Sequence, residues 1–98
     1  MGDIDKTLEE RGSRYGKFST HSSITQMLKS MMQGKESLDG SIIETNWHTL
    51  SDSQKESLEM IAHKIGRILN GDPDYDDSWR DIAGYAELVV KELNGEGV

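Results

Sequence analysis

Two segments near the C-terminal end carry apolar residues at helical spacing, and they constrain the fold more than any other feature. The first, roughly 51–70, opens with Ser51 and Gln54 at the spacing of a capping box. The second, roughly 76–93, repeats the pattern after a short turn that holds the only proline. Because the connection is short, we expect the two long helices to pack antiparallel as a hairpin.

The N-terminal half gives weaker helical signals. A short helix, "IDKTLEER", is predicted to end at Gly12, and "GSRYGKFSTHSS" has the composition of a loop. A second helix is predicted over 22–33, with Ser19 or Thr20 as its cap. No strand pattern competes with these helices. The sequence therefore predicts an all-α fold of about four helices, in one domain over 1–98, with a mobile loop at 34–46.

Composition narrows the range of partners. The 98 residues carry a net charge of −7, which argues against direct binding to a nucleic-acid backbone. No cysteine is present, so thiolate metal sites and thiol nucleophiles are excluded. The start of the chain lacks the apolar core of a signal peptide and no long apolar run follows, so we expect a cytoplasmic protein without membrane contact. So small a domain has a thin core, and we expect dimerisation to complete it.

Four carboxylates on the two long helices are candidate metal ligands. Glu56 and Glu59 are three residues apart on the first helix, and Asp77 and Asp81 are four apart on the second. An antiparallel hairpin brings Glu59 within reach of Asp81, so these side chains could converge on Mg²⁺, which prefers oxygen ligands. The alternative is that the glutamates are solvated and the aspartates stabilise the start of the second helix.

Basic residues lie close to these acids in the sequence. Lys64 and Arg67 could contact phosphate groups, or they could form ion pairs with the aspartates. His63 follows Glu59 by four residues, a spacing that suits a metal site or a hydrogen bond. Upstream, Arg14 and Tyr15 could bind a nucleotide by charge and stacking, or they could cover the core. The same two interpretations, nucleotide binding and covering of the core, apply to the neighbouring Arg11, Lys17 and Phe18.

Two stretches of the sequence resemble known protein families. The stretches "RGSRYGKFSTHSSITQMLK" and "LEMIAHKIGRILNGDPDYDDSWRDIAGYAELV" resemble a family of small, mostly uncharacterised phage and prophage proteins. The second stretch is also distantly similar to the all-α nucleoside-triphosphate pyrophosphohydrolases, the MazG-like superfamily. That similarity implies Mg²⁺ held by an ExxE motif and an ExxD motif, cleavage between the α- and β-phosphates, and a site built across a dimer.

The two motifs match this chain unequally. Glu56 and Glu59 reproduce the ExxE motif, whereas Asp77 and Asp81 form DxxxD where the superfamily has ExxD. The departure moves one ligand by a residue, which is about 100° around a helix. The resemblance implies metal ligation by all four residues and a catalytic role for Glu59 and Asp81. It also implies a nucleotide as partner and a homodimer or higher oligomer.

Three functions stay open at this point. The first is Mg²⁺-dependent hydrolysis of a (deoxy)nucleoside triphosphate by a phage-encoded protein in the host cytoplasm. The second is a phage binding protein without catalysis, which inhibits a host defence or DNA-binding protein or sequesters a nucleotide. The third is a helical accessory dimer whose aspartates only cap helices.

Overall fold

The computed structural model describes residues 2–35 and 39–98, and all regular secondary structure in these two ranges is helical. The prediction of an all-α fold is therefore confirmed. The predicted mobility of the loop at 34–46 falls in part on residues 36–38, which lie outside the described residues. The elements are α1 Asp3–Tyr15, α2 Phe18–Met32, a 3-10 helix Trp47–Thr49, α3 Asp52–Asn70 and α4 Asp76–Leu93.

The helical hairpin forms as predicted, from α3 and α4. Ser51 caps α3, accepting a hydrogen bond from the backbone of Gln54, whose side chain accepts one from the Ser51 backbone in return. Ser53, early in α3, donates to Glu92 late in α4 at 3.1 Å. Lys64 and Asp81 form an ion pair at 2.9 Å near the opposite end. These two contacts show that the helices run antiparallel.

The boundary between α1 and α2 differs from the prediction. The first helix does not end at Gly12 but continues to Tyr15, and α2 begins at Phe18 without a side-chain cap. The predicted loop is therefore wrong except at Gly16 and Lys17. A glycine inside a helix costs only about 1 kcal/mol, so Gly12 does not stop α1. Gly16 does, because its φ of 77° lies in the left-handed region that side chains disfavour.

Small residues bring α2 close to α3. Gly66 is buried in α3 opposite His21 and Thr25, the two buried residues of α2. A Cβ placed on Gly66 would lie 2.6 Å from Thr25 Cγ2 and 2.9 Å from His21 Nδ1. The side chain of Thr25 is branched and cannot turn away easily. The distance between α2 and α3 therefore depends on the missing side chain at position 66.

We expect Gly66→Ala to destabilise the protein by about 1–3 kcal/mol, because overpacking at the helix contact outweighs the gain in helix propensity. Urea unfolding followed by circular dichroism measures the change. Gly84→Ala is the matched control, since Gly84 lies inside α4 with open space around its Cβ position. The control should gain up to about 1 kcal/mol. Equal stability changes in both variants would contradict the close packing at Gly66.

The described part of the chain has a thin core. Ala62 is the one hydrophobic residue in it that is buried, whereas α4 leaves Trp79 54% and Leu93 70% exposed. An apolar surface of this kind is typical of a contact with another molecule. Within the described residues, no helix combines the length and the hydropathy needed to cross a membrane.

Candidate functional site

The corner where α1 turns into α2 rests on the end of α3. The side-chain amide of Asn70 donates to the carbonyl of Tyr15 at 2.8 Å and to that of Lys17 at 2.9 Å. The backbone of Asp72 donates to the Arg14 carbonyl at 2.6 Å. The Lys17 carbonyl also accepts from the backbone of His21 at the start of α2, whereas the turn at Gly16 leaves the Arg14 and Tyr15 carbonyls without a helical partner. Asn70 therefore sets the position of the residues on either side of the turn.

A groove of about 660 Å³ opens beside this corner, bounded by α1, the start of α2 and the last turns of α3. We call it the basic groove. Among the described residues, its lining has three cationic side chains and no carboxylate. Two histidines form its floor, and Phe18 lies at its edge with 79% of its surface exposed. Its lining residues are Leu8, Arg11, Gly12, Tyr15, Gly16, Lys17, Phe18, His21, His63 and Arg67.

A smaller hollow of about 310 Å³ adjoins the groove and shares Arg11, Tyr15 and Arg67 with it. We call it the arginine hollow. Its other lining residues are Thr7, Glu10, Arg14 and Tyr75. Two guanidinium groups here lie over tyrosine rings: Arg67 is 4.1 Å from the centroid of Tyr15, and Arg14 is 4.2 Å from that of Tyr75. The two rings meet edge to face with centroids 6.2 Å apart.

The three arginines of the hollow form no ion pair within residues 2–35 and 39–98. The ion pairs in these ranges are Lys64 with Asp81 and Arg80 with Asp76. Stacking occupies the face of a guanidinium and leaves its N–H groups available. A guanidinium held in this way is arranged for a planar, two-pronged contact with phosphate or carboxylate oxygens.

Two histidines lie side by side on the floor of the basic groove. His21 Nε2 and His63 Nδ1 share a hydrogen bond of 3.2 Å, and the other nitrogen of His21 is buried without a partner among the described residues. Burial, with the nearby charge of Arg67 in second place, lowers the pKa of His63 to about 4. Burial is also the main cause that lowers the pKa of His21. Both imidazoles are therefore neutral at pH 7.

The low pKa of His63 makes the fold sensitive to acid. In the unfolded chain this residue binds a proton below about pH 6.5, whereas in the folded chain it stays neutral down to about 4. The contribution of His63 to the free energy of unfolding is therefore fully present above pH 6.5. It is lost as the pH drops towards 4, by at most about 1.4 kcal/mol per pH unit for one proton. Denaturant unfolding between pH 7 and 5 measures this slope.

The matched variant for this prediction is His63→Gln, which cannot take up the proton but keeps a polar side chain beside His21. The slope of stability against pH should become shallower in this variant, because the contribution of His63 is removed and that of His21 is left. An identical slope in the two proteins would show that His63 does not carry the effect.

The predicted metal ligands are dispersed in the single chain. Asp81 is paired with Lys64, and Asp77 accepts a hydrogen bond from the Tyr75 hydroxyl at 2.9 Å, which raises the pKa of that tyrosine. Glu56 is exposed and Glu59 half-buried on α3. Among the described residues, no group of three or more histidine or acidic side chains is close enough to hold a metal ion. The Mg²⁺ site stays a prediction.

The structure collects most of the predicted phosphate-binding residues at one place. Arg14, Tyr15, His63 and Arg67 all line the basic groove or the arginine hollow. Lys64 does not, since it pairs with Asp81 on α4 and has 12% of its side chain exposed.

Sequence reasoning missed the roles of His21, Tyr75 and Asn70 in this site. Each is distant in sequence from the residue it meets, so no local spacing reveals the contact. A signal for His21 is nevertheless present. It lies three residues before Ile24 and seven before Leu28, which places it on the apolar face of α2.

Comparison with known proteins identifies the family. A family model described as "Domain of unknown function (DUF6378)" matches residues 4–93, which is nearly the whole chain, so the chain belongs to that family. No curated protein and no solved structure gives a significant match.

Proposed function

We propose that this member of the DUF6378 family binds a nucleotide in the basic groove, with its phosphates held by the arginines that line the groove and the adjoining hollow. One observation carries the proposal. In a chain with 18 acidic and 11 basic residues, three arginines gather at one corner, and none of them pairs with a carboxylate within the described residues. Acidic side chains are abundant enough to neutralise them, so their unpaired state favours an anionic ligand.

The aromatic side chains support a nucleotide over a bare anion. Tyr15 and Phe18 line the basic groove, and the two histidines on its floor are neutral at pH 7. Flat rings and uncharged hydrogen-bonding groups suit a nucleobase, which binds by stacking and by its polar edges.

Hydrolysis of the bound nucleotide with Mg²⁺ is a more specific proposal. Glu56 and Glu59 lie on the same face of α3 as His63 and Arg67, so an ion held by the two glutamates would adjoin the groove. Their carboxylates have the chemistry that Mg²⁺ prefers. The single chain, however, gathers no complete set of ligands among its described residues. We therefore propose that a second copy completes the set formed by Glu56, Glu59, Asp77 and Asp81, and we derive no catalytic step from one chain.

The alternative is a protein that binds without catalysis. The dispersed carboxylates favour it, as does the ion pair that Asp81 makes with Lys64. In this role the protein sequesters a nucleotide, or inhibits a host defence or DNA-binding protein.

The exposed apolar residues of α4 support a homodimer or higher oligomer, which sedimentation velocity would detect. The resemblance described above supports a phage or prophage origin and a place in the host cytoplasm. A coding sequence outside any phage or prophage region would contradict that origin.

Phosphorus NMR of a panel of NTPs and dNTPs, with and without Mg²⁺, tests the function. Metal-dependent appearance of monophosphate and pyrophosphate supports hydrolysis. Binding without turnover supports the alternative. If no nucleotide in the panel binds, the proposed function is wrong.

If the protein is a hydrolase, we expect Asp81→Asn to lower the rate by at least about a hundred-fold, because a neutral amide is a poor ligand for Mg²⁺. The fold should survive, since the Asp81 side chain is 49% exposed and the amide oxygen of asparagine can still accept a hydrogen bond from the largely buried Lys64. Initial rates and circular dichroism check the two statements. Asp76→Asn is the control, because Asp76 is exposed and pairs with the exposed Arg80. A fully active Asp81→Asn protein would remove Asp81 from the site.

A further inference from the structure

We infer that the site has two compartments: the arginine hollow takes the polyphosphate of a nucleoside polyphosphate, and the basic groove takes its base. This inference rests on the proposed function and deepens it. It assigns an orientation to the ligand, with the phosphates in a hollow whose lining does not include Glu56 or Glu59. It therefore follows the alternative of binding without catalysis, and it predicts that the phosphates bind without a metal ion.

The two cavities share a wall. Arg11, Tyr15 and Arg67 line both, so one ligand can extend from the groove into the hollow. The stacked pair of Arg67 and Tyr15 lies where the two cavities meet, with the guanidinium 4.1 Å from the ring centroid. A group that links a base to its phosphates would pass this pair.

The two cavities differ in chemistry. Beyond the shared wall, the groove is lined by Leu8, Phe18 and the two neutral histidines, which suit a flat ring. The hollow adds Arg14, so that three guanidiniums surround it, and Tyr75 holds Arg14 in place from one side. Several guanidiniums around one hollow match a chain of phosphates better than a single phosphate.

One acidic residue allows a test of whether the phosphates lie in the hollow. Among the described residues, Glu10 is the single carboxylate in the lining of the hollow, and it is exposed. Its charge repels a phosphate chain, so removal of that charge should strengthen binding if the phosphates lie here and change nothing if they lie elsewhere.

Calorimetric titration of the protein with a nucleoside mono-, di- and triphosphate of the same base, in EDTA, tests the inference. We expect the triphosphate to bind at least about ten-fold more tightly than the monophosphate, a difference of about 1.4 kcal/mol. Inorganic tripolyphosphate should compete with the triphosphate. Equal affinity for all three nucleotides would overturn the inference and leave nucleotide binding intact, whereas no binding of any nucleotide would overturn both.

Variants separate the two compartments. Arg14→Ala should abolish the tighter binding of the triphosphate relative to the monophosphate, and Glu10→Gln should increase that difference. Phe18→Ala should weaken the binding of all three nucleotides by a similar factor. Arg80→Ala is the control, because the Arg80 side chain is 77% exposed and pairs with Asp76 on α4. An unchanged ratio of triphosphate to monophosphate affinity in both Arg14→Ala and Glu10→Gln would place the phosphates outside the hollow.

Discussion

Replacing Arg67 by alanine is expected to weaken nucleotide binding by about 10- to 150-fold, which corresponds to the loss of one charge-assisted hydrogen bond of about 1.5–3 kcal/mol. Arg67 lines both cavities, and its stacking on Tyr15 fixes the direction of its N–H groups. The variant should also raise the pKa of His63, because the charge of Arg67 is the second cause that lowers it. Calorimetry measures the affinity, and NMR titration of the imidazole measures the pKa.

Two control variants give this prediction its specificity. Arg67→Lys keeps the charge but loses the planar fork, so it should recover only part of the affinity. Arg80→Ala removes one positive charge from α4, outside both cavities, and should bind as the wild type does. If Arg67→Ala binds nucleotide normally while its His63 pKa rises, the charge is present in the groove but does not contact the ligand.

The second large effect is expected at Gly71, where α3 ends. Its backbone is not in the left-handed region, but a Cβ at this position would overlap the Arg14 carbonyl and the Tyr15 Cα. Backbone atoms cannot turn aside as a side chain can. Gly71→Ala should therefore push the α1–α2 corner away from α3 and break the two hydrogen bonds of Asn70, at a cost of about 3 kcal/mol or more.

Amide hydrogen exchange is the sharpest readout for this variant, because α1 has no buried residue among those described and can detach while the hairpin stays folded. Protection should fall in α1 and at the turn, and nucleotide affinity should fall with it, since Tyr15 and Lys17 line the groove. Gly84→Ala is the control, because a Cβ there meets nothing within 4 Å and Gly84 lies outside both cavities. Normal protection in α1 of Gly71→Ala would contradict the tight contact.

The hairpin could be predicted from sequence because its signals are local. Ser51 and Gln54 mark the start of α3, and the apolar residues that follow have one period throughout. The α1–α2 corner could not be predicted from the sequence, because its geometry depends on Asn70, more than fifty residues later in the chain. Gly12 and Gly16 look alike in the sequence, and only the contacts of the folded chain make Gly16 the turn.

The same distinction applies to the candidate site. The residue types alone point to four members of the site, Arg14, Tyr15, His63 and Arg67. They do not show that these residues assemble at one corner. His21 was missed because its partner, His63, is 42 residues away. The prediction for the carboxylates rests on helical spacing, on the antiparallel hairpin and on the resemblance, and none of these says which neighbour each side chain meets. In the single chain Asp81 meets Lys64.

The measurement that tests the central claim most directly is a titration of the isotopically labelled protein with a nucleoside triphosphate in EDTA, followed by amide and side-chain NMR shifts. We predict that the largest changes occur at the α1–α2 corner and the last turns of α3, including Tyr15 and Arg67, and that the C-terminal half of α4 is unaffected. Changes confined to the α3–α4 face around Asp81, or no changes at millimolar nucleotide, would contradict nucleotide binding in the basic groove.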